Sequence, residues 1–372
     1  MNESGSGSSV SNTPSAGSHQ PELARPLRAL LVLAPLAIVG EHLGWSPSLV
    51  FGLSAVAVIP LAALMGLATE DLALAVGPRV GGLLNATLGN AAELIITIFA
   101  LRAGLTTLVL ASLTGSILGN LLLVLGASLT AGGVRHGIQR FDRHQAGVNS
   151  TMCLLAIAGL CVPSLFVAEL ARQGHPAGAV PMSVAAAVLL LLIYALSLLY
   201  GFTRQTGADP PELEPHAQPA WSRRKALGVL LGATLGIAWL SEALVGAVEA
   251  TVESLGWSEA FIGVIIIPLV GNVAEHAVAV QAALRDKMEL SLAISLGSSL
   301  QVALFVAPVL VLVSLLFGQP LLLRFDAYEV DALLAAGMIA AFIAQDGESN
   351  WLEGAILLVL YALIAVAFFF VR

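Results

Sequence analysis

The chain has 372 residues, of which 58% are hydrophobic and only 11% charged, with a mean hydropathy of +0.91. Soluble globular chains are roughly 45–50% apolar and about 25% charged, so an ordinary soluble enzyme, a nucleic-acid binder and a disordered protein are excluded. The net charge of −8, from 16 Lys+Arg and 24 Asp+Glu, offers nothing to a phosphate-rich partner.

Residues 1–26 are rich in Ser, Gly and Pro and read as a disordered tail. A membrane span needs about 20 mostly apolar residues. Apolar stretches follow at 27–44, 48–69, 80–101, 106–131, 148–170, 180–202, 224–250, 258–284, 289–317, 328–344 and 351–371. They predict an all-α polytopic membrane protein of about eleven transmembrane helices. The first stretch lacks a small-residue cleavage site after a short core and reads as a span, not a signal peptide. Cys153 and Cys161 lie eight residues apart in the fifth, too far along one helix to bridge, and read as packing residues. No Cys/His pattern with zinc spacing occurs. Asn85-Ala86-Thr87 and Asn149-Ser150-Thr151 fit a glycosylation sequence but fall at or inside spans and are discounted. The polar stretch 203–222, with Asp209, Pro210, Pro211, Glu212, Glu214 and Pro215, reads as a cytoplasmic linker between residues 27–202 and 223–372.

Basic residues test the topology independently. With the N-terminus inside, the inner segments hold 12 Lys+Arg and the outer ones, with Arg102, Arg172, Arg324 and Arg372, hold 4. That asymmetry is expected of cytoplasmic loops, and eleven spans then leave the C-terminus outside. Compact loops fit a prokaryotic plasma membrane.

Sliding residues 89–128 onto 271–310 without a gap leaves 13 of 40 positions identical. Among them are Gly89/Gly271, Asn90/Asn272, Glu93/Glu275, Gly115/Gly297 and Ser116/Ser298. The copies begin in spans three and eight, an odd offset that gives them opposite orientations. Inverted repeats with interrupted helices at the midplane are the architecture of many secondary transporters.

An ionised carboxylate inside hydrocarbon costs several kcal/mol on most scales. Glu93 and Glu275 each follow an Asn by three residues, so each Asn/Glu pair shares a helix face. The preceding Gly89 and Gly271 permit a helix break that frees carbonyl oxygens. Inverted copies would bring Asn90, Glu93, Asn272 and Glu275 together near the midplane as an all-oxygen site for a hard divalent cation such as Ca²⁺. Sulfur and His clusters that favour zinc or copper are missing. With the cation gone, two close carboxylates in low dielectric resist ionisation and take up protons, so cation-bound and protonated states exclude each other. His276, beside Glu275, is placed to assist proton transfer. Glu242, Glu249 and Glu253 roughly share a face of span seven, and Glu70 and Asp71 end span two. These read either as a funnel that concentrates cations or as solvated helix ends.

The run 83–94, LLNATLGNAAEL, resembles the first signature of the cation/proton exchanger family, the Ca²⁺/H⁺ antiporters, and 270–280, VGNVAEHAVAV, resembles its second. ASLTGSILGN at 111–120, LGSSLQVALF at 296–305 and QDGESNWLEG at 345–354 are similar to further family motifs. The resemblance covers about residues 27–371 and implies one extra N-terminal helix followed by two inverted five-helix repeats. It implies exchange of cytosolic Ca²⁺ for protons by alternating access, with no enzyme activity and no cofactor. It also implies Glu93 and Glu275 as alternating Ca²⁺/H⁺ ligands, Asn90 and Asn272 beside them, and Ser116, Ser298 and Gln301 along the pathway.

Two positions depart from the family pattern. Leu110 stands where the family usually has Gln, and the acidic stretch of the linker is reduced to Asp209, Glu212 and Glu214. Sodium-coupled exchange is the nearest alternative. A cation channel is another class, and channels commonly build a filter by symmetric assembly, whereas both halves of this site lie in one chain. An intramembrane metalloprotease would need H-E-x-x-H, and Glu275-His276 lacks the second His.

Overall fold

The computed structural model describes residues 25–204 and 219–370, so most of the expected tail and most of the expected linker, with Asp209, Glu212 and Glu214, lie outside the described residues, while Arg25 and Pro26 already belong to a helix. The described chain forms eleven helical rods. They are α1 (25–42), α2 (Pro47–Val76), α3 (78–102), α4 (Thr106–His136), α5 (Arg143–Arg172), α6 (Ala179–Arg204), α7 (223–255), α8 (Glu259–Leu284), α9 (Met288–Phe317), α10 (Ala327–Gln345) and α11 (Trp351–Phe370). In a bilayer every backbone polar group must bond internally, which is why each apolar run becomes a helix.

Nine of the rods are long and apolar enough to cross a membrane. The exceptions are α1 and α3, each broken into two short segments. α1 breaks at Leu31–Val32, four and three residues before Pro35, whose ring opposes the carbonyl of Leu31 and offers no N–H. Several rods also outrun their expected bounds. α2 continues past residue 69 to Val76 and stops at Gly77, whose φ of 90° is left-handed. Glu70 and Asp71 therefore lie inside this helix and do not end it, because Leu-Ala-Thr-Glu-Asp-Leu-Ala-Leu-Ala-Val contains no breaker before that glycine.

α4 is buried along nearly its whole length, while α6 and α11 turn most of their surface outward. Glycines let partners reach the α4 backbone. A Cβ on Gly115 would overlap the carbonyl of Val264 on α8, and one on Gly354 of α11 would overlap Thr130 and Gly126 of α4. Cys153 and Cys161 are free and buried in the core.

Contacts between connections sort them into two sets. On one side, Asp71 near the end of α2 accepts from the N–H of Ala220 and Trp221 before α7. On the same side β1 (Gln139–Arg140) pairs antiparallel with β2 (Glu348–Ser349), and Gln139 bonds to Ala283 and Asp286. On the other, Ser48 meets Ser254, the N–H of Leu108 donates to Glu259, and Ser258 donates to the carbonyl of Phe368. Every one of these bonds joins connections that strict alternation of eleven rods puts on the same face. The α3–α4 hairpin and the α8–α9 hairpin consequently turn at opposite faces.

Candidate functional site

α3 is interrupted at Gly89–Asn90, where Asn90 has φ −96° and ψ 20°, and the second segment, Ala91–Arg102, carries Glu93 in its first turn. The second repeat differs. Gly271, Asn272 and Glu275 lie within the unbroken helix Ile267–Leu284, so the helix break expected at both glycines exists only in α3. The irregularity of α8 falls upstream, in a π-helical turn over Ile262–Ile266 just ahead of Pro268. A proline has no N–H for the carbonyl four residues back, and one added residue in the turn removes that mismatch. α9 repeats the device, with a π turn over Val302–Val306 ahead of Pro308. α4 has its own π turn over Gly119–Val124, in the register that matches α9. Such turns occur often at functional sites, and both follow the Gly-Ser pairs of the repeat.

The four helices converge on one polar cluster. Ser116 Oγ donates to Glu93 Oε1 (2.5 Å), and Asn272 Nδ2 donates to Glu93 Oε2 (3.3 Å) and Ser116 Oγ (3.4 Å). In the other repeat Ser298 Oγ lies within donating distance of Glu275 Oε2 (3.0 Å) and Asn90 Oδ1 (3.1 Å). Asn90 Nδ2 donates to Gln301 Oε1 (2.9 Å), and Asn120 Nδ2 donates to Ser298 Oγ (3.0 Å). The motif glycines are exchanged between repeats: the Cα of Gly89 backs onto Glu275 and that of Gly271 backs onto Glu93. Each repeat thus supplies a serine to its own glutamate and a glycine to the other's.

The two glutamates are not equivalent. Glu93 is fully buried, with Asn90, Asn272, Ser116 and Ser298 nearly so, whereas Glu275, His276, Gln301 and Gly89 keep partial exposure. Asn272 Oδ1 is buried without a donor. An orphaned acceptor beside two carboxylates suits a cation, since an unpaired buried oxygen is otherwise costly. Among the described residues no three His, Cys, Asp or Glu side chains group as a metal site. A cation here would rely on two carboxylates plus amide and hydroxyl oxygens, a donor set matched to hard cations.

Other sequence candidates fall elsewhere. Glu70, Glu242, Glu249 and Glu253 are exposed. Glu242 ends up at the surface despite its apolar neighbours, and Glu249 and Glu253 sit on Val248–Leu255 beyond an interruption of α7 at Ala247, so the three do not share one continuous helix. Asp71 is buried and serves the backbone N–H groups before α7. Leu110 is half-buried against the core. Asn120 belongs to the cluster but was not singled out from sequence, because its register mate is the apolar Val302 while Gln301 is matched by Gly119. The signal available was an Asn at the end of the Gly-Ser motif, deep within an apolar run.

Inverted hairpins closing on a buried, oxygen-lined acidic cluster define the class of secondary cation transporters. The model of the sodium/calcium exchanger protein family matches residues 46–203 and 225–370, and the chain belongs to this family. Within it the similarity is to cation/proton exchangers. The chain is 44% identical over 367 residues to the Ca(2+)/H(+) antiporter of Synechocystis sp., covering 92% of this chain and 96% of that one. It is 43% identical over 340 residues to the Ca(2+)/H(+) antiporter ChaA of Bacillus subtilis, covering 90% and 96%. The solved structure of native YfkE superposes with a TM-score of 0.82 at 40% identity, covering 93% of this chain and 100% of that one. The chain is an integral membrane transporter, not an enzyme.

Proposed function

We propose that this protein exchanges Ca²⁺ for protons across a bacterial plasma membrane, with Glu93 and Glu275 binding the two ions in turn. The observation that carries the reading is the meeting of two carboxylates, from register-matched positions of inverted repeats, in one buried oxygen-lined cluster. Emptied and doubly ionised, that cluster would hold two negative charges away from water, which costs several kcal/mol per ion. A divalent cation or protons relieve the same cost, and occupancy by one removes the need for the other. That mutual exclusion is the minimal requirement for exchange. Asn272, with its free Oδ1, and Gln301 complete the coordination from α8 and α9, while Ser116 and Ser298 orient the carboxylates. His276, half-buried next to Glu275, is placed to assist proton transfer to and from that carboxylate.

The test is Ca²⁺ flux in proteoliposomes driven by an imposed pH gradient, with and without Na⁺. Flux that requires the pH gradient, ignores Na⁺, and nearly vanishes in both Glu93→Gln and Glu275→Gln is expected. Flux driven by Na⁺ would replace the coupling ion. Flux without any counter-ion would mean a channel, and full activity in both variants would remove the site assignment.

A further inference from the structure

The inner end of α8, the helix that carries Glu275, is held by a buried glutamine from the other repeat. Gln139, in the α4–α5 connection, is almost fully buried, and its Nε2 donates to the carbonyl of Ala283 (3.0 Å) and to Asp286 Oδ1 (2.8 Å). His136 Nε2 adds a bond to the carbonyl of Leu284 (2.9 Å). Gly132 makes room for the glutamine, since a Cβ there would overlap Gln139 Oε1. The backbone of Gln139 is itself fixed by the β1–β2 pairing opposite Ser349.

The receiving turn is strained. Among the described residues Asp286 is the one non-glycine with positive φ, 59°, a conformation that side chains other than Asn and Asp tolerate poorly. The 182-residue offset that superposes the two Gly-Asn-x-x-Glu motifs also pairs Asp286 with Gly104, whose φ of 82° is left-handed too. The two hairpin turns therefore share a backbone bend and differ in what it carries. At Gly104 there is no carboxylate, and the amide of Gln319 only rests beside it, 3.0 Å from where a Cβ would stand. At Asp286 the carboxylate receives Gln139.

We infer that Gln139 is a positioning residue for cation exchange, pinning the α8–α9 turn through Asp286 and Ala283 so that α8 holds Glu275 at the angle Ser298 and a cation require. α4 and α8 then meet at two levels, Ser116 with Asn272 at the site and Gln139 with Asp286 at the inner end, and two attachments fix a tilt that one cannot. The inference rests on the proposed Ca²⁺/H⁺ reading for its transport readout, and the structural readout below is independent of it.

The experiment compares Gln139→Leu, Gln139→Glu and Asp286→Asn in proteoliposome flux and in amide hydrogen exchange of the segment 282–288. Gln139→Leu loses both bonds and is expected to raise half-saturating Ca²⁺ about five-fold, the size of one ordinary hydrogen bond, with faster exchange at 282–288. Gln139→Glu sets a carboxylate against Asp286 and is expected to do more. Asp286→Asn keeps an acceptor and the left-handed bend and should stay near the parent protein. Unchanged half-saturation in both Gln139 variants overturns the inference, whether or not the segment loosens, since loosening alone is a purely structural role. Asp286→Asn as damaging as Gln139→Glu would overturn it as well. Should the parent carry no Ca²⁺, the Ca²⁺ reading fails by itself, and unchanged exchange at 282–288 in Gln139→Leu would still refute the pin.

Discussion

The motif glycines Gly89 and Gly271 open the same Gly-Asn-x-x-Glu run, yet their surroundings predict opposite responses to alanine. A Cβ on Gly89 would lie 3.0 Å from Glu275 Oε1 and 2.9 Å from the carbonyl of Asn85, whereas ordinary contact begins at 3.4 Å. Glu275 would have to retreat by about 0.4 Å, the difference between 3.4 and 3.0. Calcium–oxygen distances span only about 2.3–2.6 Å, so a shift of that size takes one carboxylate oxygen out of coordination or bends its bond to Ser298. Losing a charged hydrogen-bond partner costs about 1.5–3 kcal/mol, and half of that, about 0.75–1.5 kcal/mol, is about a three-fold to twelve-fold loss of affinity. At Gly271 the nearest atoms to a new Cβ are those of Glu93 at 3.7 Å, so nothing needs to move. Alanine inside a helix is favoured over glycine by roughly 0.5–1 kcal/mol, and Gly271→Ala should match or exceed the parent in Tm with near-parent flux. The assay is the Ca²⁺ dependence of pH-driven flux for both variants, alongside thermal unfolding in detergent. Equal effects at the two glycines, or greater damage from Gly271→Ala, would refute the reasoning.

Three further outcomes follow from the same geometry. Asn120→Leu leaves the Ser298 hydroxyl without its donor and should weaken apparent Ca²⁺ affinity about five-fold, one hydrogen bond's worth, with little change in Tm; an unaltered affinity would place Asn120 outside the site. Asp71→Ala strips two bonds from the N–H groups of Ala220 and Trp221, and protease cleavage between 219 and 223 should quicken about ten-fold for a loss near 1.4 kcal/mol. Gly354→Ala forces a Cβ onto the α4 backbone at Thr130; such overpacking costs about 1–3 kcal/mol, which a lowered Tm in detergent would register.

Most of the helices were legible because length and hydropathy are properties of a single segment. Their ends were less so. Nothing in 70–76 announces that α2 continues, except the lack of a breaker before Gly77, and Glu70 and Asp71 looked like polar ends for that reason. Asp71 turned out to be buried because its partners, the N–H groups of Ala220 and Trp221, lie about 150 residues away in the chain. The acidic residues of α7 illustrate the converse. Their spacing suggested a shared face, but α7 is interrupted at Ala247, and Glu242 faces outward because the helix packs its other side on α2 and α3, which no local pattern records.

The sequence alone determined that this is a polytopic α-helical membrane protein with inverted repeats, each built around a Gly-Asn-x-x-Glu run. Those conclusions need only apolar run length, charge asymmetry between loops, and polar residues repeated in one register inside hydrocarbon. Tertiary structure decided which oxygens meet and made the two repeats unequal. It breaks α3 but not α8 at the motif, leaves Asn272 Oδ1 without a donor, keeps Glu275 half-accessible while sealing Glu93, and brings Asn120 to Ser298. The reason is that hydrogen bonds are directional and act over about 3 Å. The partners that join the two repeats lie 156 to 211 residues apart, so only the packing of whole helices selects them.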